Sequence, residues 1–122
     1  MSSRMKLSAV TLDCPDPLAL CAFYQAATGL APHPDSDAGF AGLRGEGGLL
    51  IGFQRVAGHR PPTWPEPEVP QQLHLCFDVP DLDAAEARLL ELGAARPAHQ
   101  PEPGKWRVLT DPAGHPFCIV TA

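Results

Sequence analysis

Two stretches of this chain share one pattern, S-A-V-T-L-D-C-P-D-P-L-A-L-C-A-F-Y from Ser8 and L-H-L-C-F-D-V-P-D-L-D-A-A-E-A-R-L from Leu73, 65 residues on. Each runs alternating apolar residues into a Pro-Asp pair and then into apolar residues at helical spacing. Alternation predicts a strand with two different faces, and the change of period predicts a helix packed on one of them. A chain of 122 residues suits one domain of two such modules, because each module alone is too small to bury its sheet. Two copies point to duplication, not to a solenoid.

Module one, about residues 6–56, opens with a strand near residues 7–14 that sets Val10, Leu12 and Cys14 on one face and Ala9, Thr11 and Asp13 on the other. Asp16 is placed to cap the next helix, with Pro17 at its first position and Gly29 at its end. Leu20, Phe23, Tyr24 and Ala27 form its apolar stripe. Strands around Phe40–Arg44 and Leu49–Arg55 follow, joined by the turn G-E-G-G. Module two, about 71–122, sets Leu73, Leu75, Phe77 and Val79 against His74, Cys76 and Asp78. Asp81 and Gly93 bracket a helix with the stripe Leu82, Ala85, Leu89 and Leu92, and a hairpin Trp106–Thr110 and Phe117–Thr121 turns through D-P-A-G. In both opening strands the more apolar face has the helix to cover it. The other face is left to line a cavity.

Proline is abundant, 15 in all, with five between residues 61 and 70 in the crossover 57–70 and a second group in R-P-A-H-Q-P-E-P-G. These stretches read as stiff, extended loops. The net charge of −5 comes without a Lys/Arg cluster, which argues against nucleic acid and anionic membranes as partners. No apolar run reaches the ~20 residues of a membrane helix. The stretch M-S-S-R-M-K-L has no secretory core, so a cytoplasmic address is expected. Four cysteines (Cys14, Cys21, Cys76, Cys118) show no paired metal-ligand spacing, and buried structural thiols are the expectation.

The order and spacing of L-D-C-P-D-P-x-x-L-C-x-F-Y-x-x-x-x-G, H-L-C-F-D-V-P-D-L-D-A-A and D-P-A-G-H-P-F-C resemble the vicinal oxygen chelate superfamily. That group holds glyoxalase I, extradiol dioxygenases, fosfomycin resistance enzymes and bleomycin-binding proteins. R-P-P-T-W-P and G-H-P-F-C-I-V resemble its small glyoxalase-like branch. The resemblance implies an α+β fold of two βαβββ modules whose sheets curl around a cleft, and a homodimer. It also implies four ligand positions in metal-using members, mid-strand in the first and last strand of each module, typically His or Gln and Glu. Carried onto this chain they fall on Ala9, His74, Cys118, and either Gly52 or Gln54. With no carboxylate among them, neither the superfamily's metal nor another cofactor is expected.

The residues expected to contact a small organic ligand are His74, Gln54, Cys118, Trp64, Trp106, Phe40 and Asp78. His74 could hydrogen-bond a ligand or move a proton near neutral pH, or be satisfied by a carbonyl or Asp78. Cys118 could be a nucleophile, although a buried structural thiol is the plainer reading. Trp64 on its stiff loop suits an aromatic lid, and packing onto the sheet or a dimer contact would suit it equally. Trp106 and Phe40 could be cleft walls or core; Asp13, Asp78 and Gln54 could orient a ligand. His33, His59, His99 and His115 fall in loops and turns. The function expected is the binding of a small, neutral or cationic organic molecule, by sequestration or with mild acid/base chemistry. A zinc- or iron-dependent lyase, isomerase or dioxygenase using His74 and Cys118 is the rival, and a domain without a cleft the third reading.

Overall fold

The computed structural model describes residues 4–121. Met1–Ser3, part of the stretch read for a leader, and Ala122 lie outside the described residues. The chain is α+β and divides into two compact units, Met1–His59 and Arg60–Ala122. Among the described residues no helix is long and apolar enough to cross a membrane.

Unit one contains β1 (Ala9–Cys14), α1 (Pro17–Thr28), β2 (Ala31–Pro32), β3 (Phe40–Arg44) and β4 (Leu50–Arg55). They form a mixed sheet in the order β1-β4-β3-β2, with β1 parallel to β4. The Asp16 carboxylate accepts from the Ala19 amide (3.2 Å), Pro17 occupies the first turn, and Gly29 closes α1 at φ 74°, as the sequence predicts. The buried stripe is Pro17, Leu20, Cys21, Phe23 and Tyr24; Ala27, expected in it, is exposed, and Cys21, not expected in it, is buried. This stripe covers the sheet face carrying Leu12, Cys14, Ala41, Leu43 and Phe53, all buried. Tyr24 stacks on Phe53 with ring centroids 5.6 Å apart. G-E-G-G turns the chain between β3 and β4 through two left-handed glycines, Gly47 at φ 67° and Gly48 at φ 82°.

Unit two contains β5 (Leu75–Val79), α2 (Leu82–Leu92), β6 (Trp106–Thr110) and β7 (Pro116–Thr121) in a sheet ordered β5-β7-β6, with β5 parallel to β7 as β1 is to β4. An isolated bridge from Ala95 to Thr110 stands where unit one has β2. Asp81 caps α2 by accepting from the Ala84 amide (2.9 Å), and Gly93 ends it at φ 117°. Leu82 and Leu89 are buried while Ala85 and Leu92 are half-buried. Leu73 precedes the strand it was expected to join and is exposed. Arg107, on the sheet face shared with Phe117 and Phe77 neighbours, reaches Asp83 (2.7 Å) and Glu86 (3.7 Å) on α2. The turn Asp111–Gly114 closes with the Gly114 amide donating to the Asp111 carbonyl (2.8 Å). The buried Asp111 carboxylate accepts from the amides of Ala113 (2.9 Å) and His115 (3.0 Å).

Candidate functional site

Strand register decides which side chains share a face. Paired residues project to the same side of a sheet, and alternate residues follow them. In unit two Cys76 is opposite Cys118, and Cys118 is opposite Val108. Asp78, Val120 and Trp106 form the next row on the same face. The opposite face carries Phe77, Phe117, Ile119 and Leu109, and the rings of Phe77 and Phe117 meet edge to face at 6.0 Å. Apolar content therefore segregates to one face and leaves the sulfur-bearing face with polar groups at its edge.

On that face His74, immediately before β5, Cys76 and Cys118 come together. One nitrogen of His74 and the two sulfurs lie within 4.8 Å of one another. His74 and Cys76 are exposed, while Cys118 is 7% exposed. No disulfide joins any of the four cysteines. Burial pushes the Cys118 thiol up to about 11, with the neighbouring Cys76 adding to the rise by charge repulsion and by a hydrogen bond between the thiols. Two sulfurs so close disfavour paired thiolates, and a cation placed between them reverses that preference. The expectation of a buried structural thiol fails for Cys76: β5 is a sheet edge and its residue 76 lies on the face away from α2. The signal was present in the sequence as H-x-C on one strand face, and it became a cluster only once the register placed Cys118 beside it.

The other expected residues distribute as follows. Trp106 and Asp78 share the face of the cluster. Asp78 also lines, with Val79, Pro80 and Thr121, a cavity of about 300 Å³ at the end of β5 and β7. Trp64 lies on the proline-rich loop with its ring 5.4 Å from that of His99, on the second such loop. Gln54 and Phe40 are opposite one another in unit one, on the sheet face that also carries Asp13. Phe40 helps line a cavity of about 120 Å³ with His33, Asp35, Ser36, Gly42 and Leu50. The Asp37 carboxylate accepts from the amides of Gly39 (2.8 Å) and Phe40 (2.9 Å), which fixes the entry to β3; the bonds from Phe40 and Gly39 hold its carboxyl below the usual range.

The register also resolves the ligand position left open between Gly52 and Gln54. Thr11 pairs with Gly52 across β1 and β4 as Cys76 pairs with Cys118 across β5 and β7, so Gly52 is the counterpart of Cys118. A Cβ at residue 52 would stand 2.6 Å from the Phe40 ring and 3.0 Å from the Thr11 hydroxyl. The space where a ligating side chain would begin is filled by Phe40. The counterpart of His74 is Ala9. The four positions are thus alanine, glycine, histidine and cysteine, a set that does not fit an ion held by imidazole and carboxylate.

A family profile described as the Glyoxalase-like domain matches residues 9–120, and the chain belongs to that family. It is 38% identical over 111 residues to CFP32 of Mycobacterium tuberculosis and of Mycobacterium bovis, a protein named as a candidate glyoxylase. The match takes in 88% of this chain and 40% of CFP32, so the chain spans well under half of that relative. Among solved structures, a glyoxalase/bleomycin resistance protein/dioxygenase family enzyme from Burkholderia phytofirmans superposes with a TM-score of 0.70 at 23% identity, covering 96% of this chain and 98% of that one. A bleomycin resistance determinant encoded on the transposon Tn5 superposes at 0.59 and 20% identity, covering 96% and 98%. The fold is that of the vicinal oxygen chelate superfamily.

Proposed function

We propose that this chain binds a small organic molecule without the imidazole- and carboxylate-held metal of its superfamily. The observation that carries the reading is the Phe40 ring lying where a side chain at Gly52 would begin, together with Ala9: two of the four donor positions that the resemblance implies have no donor atom to offer. Each unit offers candidate contacts on the sheet face turned away from its helix: His74, Asp78, Trp106 and Cys118 in unit two, with Trp64 on that unit's loop, and separately Phe40 and Gln54 in unit one. A few polar groups set among aromatic surface is the usual composition of such a site. The net charge of −5 favours neutral or cationic ligands. A single domain, a homodimer and a cytoplasmic address belong to the same reading.

Native mass spectrometry of protein purified without chelator tests it. An organic adduct that is lost on denaturation and depleted in Trp106→Ala or in Phe40→Ala supports the reading. A bare mass, with no hydrophobic dye taken up by the folded protein, overturns it. One observation favours a second reading, a metal-dependent lyase, isomerase or dioxygenase: the convergence of His74, Cys76 and Cys118. Turnover abolished by a chelator and restored by a metal ion would establish that alternative.

A further inference from the structure

We infer that His74, Cys76 and Cys118 form a binding site for a thiophilic ion, zinc(II) foremost, held within unit two alone and with its fourth position open. This site goes beyond the small-molecule reading, and its donors differ from those the superfamily uses. It needs no residue of unit one, it contains no carboxylate, and one of its donors, Cys76, stands at none of the four positions the resemblance implies.

The argument begins with the strands. Neighbouring strands lie ~4.8 Å apart, so the register that sets Cys76 opposite Cys118 brings their sulfurs to bonding range of one ion. His74 is two residues before Cys76 and therefore on the same side, and an imidazole is long enough to lean back over the pair. The three ligand atoms lie within 4.8 Å of one another. Tetrahedral zinc, with bonds of ~2.3 Å to sulfur and ~2.0 Å to nitrogen, wants its donors roughly 3.4–3.8 Å apart. Side-chain rotation must therefore close the widest gap by only about 1 Å, and the two donors that need to move, His74 and Cys76, are the exposed ones.

The donor set then selects the ion. Two thiolates and an imidazole suit zinc, or copper(I), and repel magnesium, calcium and manganese, which take oxygen donors. Three protein donors leave one tetrahedral position, the arrangement of sites that exchange a bound water. Because His74 and Cys76 are exposed, that position faces solvent or a bound ligand.

The test uses the full chain with its thiols kept reduced by a phosphine, titrated with cobalt(II) as the spectroscopic probe and then with zinc(II) as competitor. The expected result is a thiolate-to-cobalt charge-transfer band that saturates at one ion per chain and is displaced by zinc. Cys76→Ser and His74→Ala, both changes at exposed positions, weaken binding by at least the roughly 10–100-fold that loss of an outer-shell partner already costs. Cys21→Ala, at a buried thiol of unit one, leaves it unchanged. No band, several ions per chain, or binding retained in both Cys76→Ser and His74→Ala overturns the proposal. Zinc raises the melting temperature of the wild-type chain and not of Cys76→Ser, a readout independent of colour. Organic adducts are scored separately by mass, so failure of the ion site and failure of the small-molecule reading are distinguishable.

Discussion

Cys76 and Cys118 stand opposite one another on the parallel strands β5 and β7, one thiol exposed and its neighbour buried. Their reactivity should differ accordingly. With its thiol near 11, Cys118 at pH 8 carries about a hundredfold less thiolate than a thiol of ordinary pKa, before access is considered. Iodoacetamide at pH 8 is expected to label Cys76 first and to leave Cys118, Cys14 and Cys21 unlabelled until the chain is denatured. Peptide mapping of a time course checks this, and early labelling of Cys118 would contradict its burial.

The same thiols make alkaline stability predictable. Burial raises Cys118 and Cys21 above the ordinary thiol value of 9.0, Cys118 to about 11. A group whose pKa is higher in the fold than in the unfolded chain contributes its stability in full below the unfolded value and loses it as pH climbs through the folded one. The chain should therefore lose stability between pH 9 and 11, and Cys118→Ala should show a shallower decline over that window. Urea midpoints at pH 8, 9, 10 and 11 for the two proteins give the comparison.

The repeated strand-helix order, both helix caps and the D-P-A-G turn were legible because each rests on local chemistry: period, a capping carboxylate, a glycine with positive φ. The cluster was legible only in part. The sequence places Cys76 on the face of His74 and offers His74 with Cys118 as a metal pair. Nothing sets Cys76 beside Cys118 until β7 is known to pair with β5 at that register, and pairing between residues so far apart has no local signature. The choice between Gly52 and Gln54 was open for the same reason. It closed only when the β1–β4 register was seen to repeat the β5–β7 one.

Gly114 and Pro61 should be coupled. Gly114 has φ 89°, and a Cβ there would overlap the Pro61 ring, which pins the proline-rich loop against the turn. Gly114→Ala is expected to cost about 2–4 kcal/mol, from left-handed backbone strain and the clash together. Gly104→Ala meets nothing within 4 Å and should stay within about 0.5 kcal/mol of the parent. Chemical denaturation of the two variants measures both.

The paired caps offer a test of the duplicated design. Asp16 and Asp81 each accept one backbone amide at a helix start, and an exposed cap of this kind contributes about 1 kcal/mol. Asp16→Ala and Asp81→Ala should each lower stability by that amount, while Asp→Asn at either position, which keeps the accepting oxygen, should cost roughly half as much or less. Thermal melts of the four variants decide it. A negligible effect of the alanine changes would mean that water satisfies these amides as well as the carboxylates do.

The contact of Phe40 with Gly52 supports the proposed loss of a donor position, and it can be measured as a coupling. Phe40 is 39% exposed, so its ring can swing aside, and Gly52→Ala should cost a modest amount, about 1–2 kcal/mol. Phe40→Ala removes the ring and clears its side of the site. If the ring is what excludes a side chain at residue 52, Gly52→Ala should cost less in the Phe40→Ala background, by at least about 0.5 kcal/mol. The relief should be incomplete, because the Thr11 hydroxyl stays 3.0 Å from the same Cβ position. A double-mutant cycle in urea gives the coupling directly. Strict additivity would mean that the ring yields without cost, and that a side chain could be restored at this position by a single substitution.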